Sequence, residues 1–297
     1  SHVFPGSDGE SRTINLVNYR DVRLRDREYP LQMVDHINIK GQGIGETDIT
    51  GNTTKPVLSF DNTVDTEIRD LTIKDGGGRV GGGIKIYESS PVLKFVEISE
   101  NASAEKGGGL YVESSSPVLE NVEVRDNESI IGAGVYFKSS DVTIRNTEIK
   151  DNELATSNEY DRKGGGIYSL NTNLTIENMV ISGNIATGGR GGGIMVETTS
   201  EDGRILSEND FDNVQMSNNI ASEGAGMYFS SNSMNTLSNV LISDNVAFNE
   251  GGGIYTEEGS YSLIINSTIV NNNAWNDGAG LYVQDVDEGP VIGDILK

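Results

Sequence analysis

Short runs in which apolar and polar residues alternate recur along the whole chain. Gly109-Leu110-Tyr111-Val112-Glu113 and Asn121-Val122-Glu123-Val124-Arg125 are typical, each placing aliphatic side chains on one side and polar ones on the other. Period-two alternation with β-branched residues predicts strands. No segment carries a convincing helical period, so the expected class is all-β.

The runs are spaced regularly. A triplet Gly-(Gly/Ala)-Gly followed by an aliphatic residue occurs eight times, the aliphatic residue being Ile84, Leu110, Val135, Ile167, Ile194, Met227, Ile254 and Leu281. The usual interval is about 26 residues, and two intervals are about six longer because of inserts near Thr156–Arg162 and Thr199–Ser207. After each triplet but the last comes an aliphatic residue, two polar residues and an Asn: Asn101, Asn127, Asn152, Asn184, Asn219, Asn245 and Asn272. In most copies a further Asn stands three residues before that aliphatic position, at Asn121, Asn146, Asn178, Asn213, Asn239 and Asn266; the coil at Phe95 departs from this, and Asp70…Ile73 reads as a degenerate copy.

Self-similarity at a fixed period marks a solenoid. Strands recurring in register must stack parallel, about 4.8 Å apart. Like residues then fall on like, and buried Asn over Asn forms a side-chain amide ladder. Gly supplies the positive-φ bends of a tight corner, and Asn tolerates them better than most residues. A propeller blade would be longer, a leucine-rich repeat would show its leucine spacing, and the calcium-binding nonapeptide is missing because no triplet is followed by Asp at the required place.

The alternation of Gly-Gly-(Ala/Gly)-(Ile/Leu/Val) with x-x-Asn resembles the repeats of the polymorphic outer-membrane proteins and, more broadly, the pectin-lyase-like β-helix superfamily. The likeness runs from about Gly76 to Val283, and Val3-Phe4-Pro5-Gly6 with Ile37-Asn38-Ile39-Lys40-Gly41-Gln42-Gly43 is similar to that superfamily's first coils. Where the outer-membrane repeats usually carry Phe before x-x-Asn, this chain has Ile, Val or Met, and their membrane-anchoring barrel is missing. The resemblance implies a single right-handed parallel β-helix of ten or eleven coils over residues 1–297, with less regular coils in 1–75 and the regular repeats in 76–297. It also implies a choice among adhesins, passenger domains, polysaccharide lyases and glycoside hydrolases, because one fold hosts many functions.

Composition narrows the partners. The 297 residues carry a formal charge of −23, which repels nucleic acid and anionic membranes. There is no Cys, hence no disulfide, thiol chemistry or cysteine zinc site. No apolar run approaches the roughly 18 residues of a membrane-spanning helix, and no signal peptide is evident. Hydrophobic residues make up 35% of the chain, enough for a thin solenoid in which each repeat packs only on its neighbours. The expected setting is extracellular or at a bacterial cell surface, as a mature form or an excised piece of a longer precursor with flanking domains.

Three columns are candidate sites. The residue after each aliphatic marker gives Tyr111, Tyr136, Tyr168, Tyr228, Tyr255 and Tyr282, interrupted by Met195 and preceded by Lys85. Pointing outward, they form a stripe onto which a glycan could lay its sugar rings, or a self-covering stack of cross-strand aromatic pairs. The residue before the ladder Asn gives Glu100, Asp126 and Asp151, whose stacked carboxylates would accept calcium, or are simply solvated turn residues. Glu97, Glu123 and Glu148 stack beside Ser99, Arg125 and Lys150. The lyases of this fold use a basic residue to take the proton α to a uronate carboxylate, so Arg125 or Lys150 with Glu123 and Glu148 are the catalytic candidates the resemblance suggests; the surrounding acids push a lysine pKa the wrong way for that, and inter-coil ion pairing is the competing meaning. His2 and His36 do not form a metal motif.

The regularity favours a non-catalytic module that binds glycans or other surfaces or acts as a rigid spacer, because active sites usually break local rules. A polysaccharide lyase or glycoside hydrolase is the rival reading, and a regular solenoid of stacked like residues is expected to self-associate end to end unless it is capped.

Overall fold

The computed structural model describes residues 11–17, 20–23, 29–156, 161–199 and 207–284. His2, the Val3-Phe4-Pro5-Gly6 segment and parts of both inserts lie outside them. Within the described residues every strand pairing is parallel, and three sheets stack coil upon coil. The first sheet, of 14 strands, contains Val92–Ser99, Val118–Arg125, Asp141–Lys150 and Asn173–Ser182. The second has ten strands, among them Ile84–Tyr87, Leu110–Glu113, Val135–Lys138, Ile167–Leu170, Ile194–Glu197, Met227–Phe229 and Ile254–Thr256. The third has six short strands that follow the ladder asparagines, such as Glu128–Ser129 and Val246–Ala247.

This is the expected right-handed parallel β-helix. The ten strands of the second sheet are separated by nine coil-to-coil steps, so the described residues make about nine full turns, close to the ten or eleven coils expected over the whole chain. The strands Arg12–Asn15 and Ile37–Lys40 join the first sheet, so the irregular early coils lead directly into the regular ones. No helix long and apolar enough to cross a membrane occurs among the described residues.

The sequence markers have distinct physical jobs. The triplet's aliphatic residue points inward: Ile84, Leu110, Val135, Ile167, Ile194 and Ile254 are fully buried and stack on one another along the axis. The first Gly of a triplet turns the corner with positive φ, 66° at Gly164. The third makes room: a β-carbon on Gly166 would sit 2.6 Å from the Gly193 carbonyl and 3.1 Å from the Asn184 amide. Asn121, Asn146, Asn178, Asn213, Asn239 and Asn266 all adopt positive φ and bend the first sheet in mid-coil.

The ladder is buried and continuous. From Asn101 onward each Nδ2 donates to the Oδ1 of the Asn one coil on, at 2.9–3.0 Å, through Asn127, Asn152, Asn184, Asn219 and Asn245 to Asn272. Each Oδ1 also accepts the preceding coil's backbone N–H, as Asn184 does from Asn152 at 3.2 Å. Amides that satisfy one another in this way fix the register of the seven coils that carry them.

Candidate functional site

The second sheet's outer face carries the tyrosine column, and the column is closed rather than open. Tyr111, Tyr136, Tyr168, Tyr228 and Tyr255 are only 2–7% exposed. Their rings pack face against face, with centroids 5.1 Å apart for Tyr111–Tyr136, 4.6 Å for Tyr228–Tyr255 and 4.9 Å for Tyr255–Tyr282. Tyr136 and Tyr168 lie 5.1 Å apart and tilted, and Met195 fills the gap between Tyr168 and Tyr228. The sheet face therefore has its own hydrophobic cluster, separate from the solenoid core and flanked by Val80, Ile131 and Leu170.

Two neighbouring columns, which the sequence reading passed over, complete the face. One is the residue before each triplet: Val80, Lys106, Ile131, Lys163 and Arg190 pair in sequence as single parallel bridges. Lys106 lies 5.3 Å from the Tyr136 ring centre and Arg190 5.7 Å from that of Tyr228, so cations sit over aromatic faces. The other lies three residues beyond the aliphatic marker, where Glu113, Glu197 and Glu257 accept the tyrosine hydroxyls. Tyr111 donates to Glu113 at 2.6 Å, Tyr168 to Glu197 at 2.9 Å and Tyr228 to Glu257 at 2.5 Å. Lys138 pairs with Glu113 at 2.6 Å, and Lys163 lies between Glu197 at 2.8 Å and Asp161 at 3.3 Å. Both columns had a readable signal, a fixed offset from the triplet, but their residue types vary too much from coil to coil to announce themselves.

The phenols are held neutral. Burial, the largest cause, pushes Tyr136 and Tyr255 up to about 12, and burial followed by the adjoining carboxylate raises Tyr111, Tyr168 and Tyr228 as well. A phenol in this state donates hydrogen bonds and is a poor proton acceptor near neutrality. The face thus offers rigid, oriented carboxylates and cations above a sealed aromatic floor. Both inserts border it in the chain: the first lies between Glu153–Leu154 and Ile167–Leu170, the second between Ile194–Glu197 and Ser207–Ser217.

The acid column before the ladder has a backbone explanation. Glu100, Asp126 and Asp151 have φ of 57°, 54° and 53°, and Gly183, Asn218, Asp244 and Asn271 fill the same place with φ of 56–66°. The position selects residues that tolerate the left-handed region. Asp126 pairs with Arg125 at 2.5 Å. Among the described residues no three His, Asp or Glu side chains converge as a metal would require.

The charge patch on the first sheet stacks in the expected register, Glu97 on Glu123 on Glu148 and Ser99 on Arg125 on Lys150. Arg125 reaches Glu97 at 2.7 Å and Glu123 at 3.4 Å, and Lys150 reaches Glu123 at 3.0 Å and Glu148 at 3.2 Å. The hydrogen bond to Glu123, followed in effect by that to Glu148, raises the Lys150 pKa against the opposing effect of burial. A lysine stabilised in its charged form is the opposite of a poised base. His36, at the early end of the rod, contacts Asp65 at 3.0 Å, remote in sequence from these columns.

A family model described as "Right handed beta helix region" matches residues 35–211 and 202–292. The chain belongs to the right-handed β-helix family. Among solved structures, this β-helix is similar to the A-module of the Azotobacter vinelandii mannuronan C-5 epimerase AlgE6, with 13% identity and a TM-score of 0.56 over 95% of this chain and 90% of that one. The A-module of AlgE4 from the same organism is 14% identical with a TM-score of 0.44, over 97% and 92% of the two chains. At 13% identity the likeness to the AlgE6 module is one of fold, the right-handed β-helix that the repeats predict. No curated protein sequence matches the chain.

Proposed function

We propose that this β-helix is a non-catalytic, extracellular module that binds a polysaccharide or surface glycan across the outer face of its second sheet. The reading rests on the sealed tyrosine column. Its rings are packed on one another, its hydroxyls are engaged by Glu113, Glu197 and Glu257, and its phenols stay protonated. Such a face grips through preset polar groups: carboxylates with spare lone pairs accept sugar hydroxyls, and Lys163 and Arg190 donate to them. A solved module of the same fold acts on mannuronan, which makes a polymer along the rod a natural ligand class for this scaffold. Catalysis would need a base freed from its partners, and the candidates Arg125 and Lys150 are each tied to two or more carboxylates.

The test is electrophoresis through gels containing neutral and acidic polysaccharides. Retardation in at least one gel is expected. Lys163→Ala and Glu197→Gln should weaken it, and Tyr228→Phe, which keeps the stack and removes one hydroxyl, should weaken it less. Equal mobility in every gel with and without polymer would refute glycan binding.

A further inference from the structure

A second surface lies on the last described coils, where the third sheet meets the C-terminal continuation of the column that borders the tyrosine face. The third sheet there ends Val246–Ala247 and Asn273–Ala274, with Ala247 and Ala274 packed in the alanine cluster of the interior. The next residue in each coil turns out to solvent: Phe248 is 36% and Trp275 69% exposed, and their rings meet edge to face at 5.1 Å. In the two preceding coils the same position holds Ser222 and Thr187, so this aromatic platform is confined to the C-terminal part of the rod. Beside it Asn276 donates to Asn249, and Asn249 donates to Glu223 at 3.2 Å.

The column before the triplet changes sign here. After Lys163 and Arg190 it continues as Glu223, Glu250 and Asp277, each accepting a backbone bond from the triplet one coil back. Arg190 pairs with Glu223 at 3.3 Å, and among the described residues no cation pairs with Glu250 or Asp277. Burial, then the charges of Glu223 and Asp277, raise the Glu250 pKa. The sequence has no Lys, Arg or His from Ile205 to Leu296, whereas acids run through the whole stretch. Charge therefore selects what can cover the platform. A second copy of a chain carrying −23 is repelled, and the chain's own last residues bring Asp285, Asp287, Glu288 and Asp294. A uronate polymer is repelled as well.

The repeat distance disfavours an extended peptide. Carboxylates on successive coils recur about every 4.8 Å, whereas like-facing residues of an extended peptide recur about every 6.8 Å. A sugar chain with a cation on each ring supplies both the positive charge that Glu250 and Asp277 call for and flat ring faces that suit Trp275 and Phe248. We propose that Trp275 and Phe248, with Glu250 and Asp277, form a binding site for a polycationic amino-sugar polymer lying along the rod.

The chain's single Trp is the reporter. The intact protein would be titrated, at a pH where amines are charged, with glucosamine oligomers, with fully N-acetylated oligomers of equal length and with oligolysine, following tryptophan emission. A saturable change is expected with the glucosamine oligomers, about tenfold or more weaker with the acetylated ones, and similarly weakened by the double substitution Glu250→Gln/Asp277→Asn. Lys163→Ala should leave it unchanged, which separates this site from the face of the second sheet. The proposal is overturned if both sugar series bind alike, if none alters the emission, if the double variant binds as tightly, or if oligolysine binds more tightly than the sugar. It is also overturned if emission depends on protein concentration without ligand, which would put a second copy on the platform.

Discussion

Asn184 shows what a single residue does in this fold. Its Oδ1 accepts from the backbone and side chain of Asn152, and its Nδ2 donates to Ile149, Ser182 and Asn219. Asn184→Ala orphans buried groups on both neighbouring coils, each costing about 1–3 kcal/mol. A loss of at least about 2 kcal/mol is expected in urea unfolding. Asn178, six residues earlier, holds a positive-φ bend on the exposed side, so Asn178→Gly should stay within about 1 kcal/mol of the parent. The two asparagines look alike in sequence and differ in backbone conformation, in burial and in what their amides touch. Lys150→Met is the matching check on the charge patch: its half-exposed ion pairs should be worth no more than about 1 kcal/mol, and polysaccharide retardation should be unchanged. A large drop in retardation would return Lys150 to the list of functional residues.

At the scale of the element, the second sheet was legible in part. The triplets and inward aliphatics fixed its strands, because glycine spacing and period-two alternation report backbone and side-chain direction directly. That the tyrosines face outward followed from the same alternation. Their burial did not, since alternation says which side of a sheet a residue takes and not what covers it. The cover comes from Val80, Lys106, Ile131, Lys163 and Arg190, a column with no common residue type. The acid column carried the opposite lesson: Glu100, Asp126 and Asp151 recur because the turn demands left-handed φ, a conformational cause that looks in sequence like a ligand set. Sealing the tyrosines has a consequence at alkaline pH. Tyr136 titrates at about 12 in the folded state against 10.0 when exposed, so the folded state keeps the proton longer than the unfolded one. The stabilisation this provides is complete below about pH 10 and is lost as pH rises through about 12. Urea midpoints measured across that window should fall, and Tyr136→Phe should flatten part of the fall.

The whole molecule is a rod whose coils stack through an asparagine ladder, an aliphatic core and an outer aromatic column, under a formal charge of −23. Self-repulsion of that size opposes the compact state. Raising ionic strength from roughly 0.01 M to roughly 1 M shortens the screening length from about 30 Å to about 3 Å, and Tm should rise with it; a fall would mean that the inter-coil ion pairs outweigh the repulsion. The central claim is that the rod holds a glycan without changing it. The direct test is to incubate the protein for a long period with whichever polysaccharide retards it, recover the polymer, and compare its chain length, unsaturation and sugar composition with an untreated sample. An unchanged polymer is predicted. Shortened chains, new unsaturated ends or altered sugar stereochemistry would contradict the account and make this β-helix an enzyme.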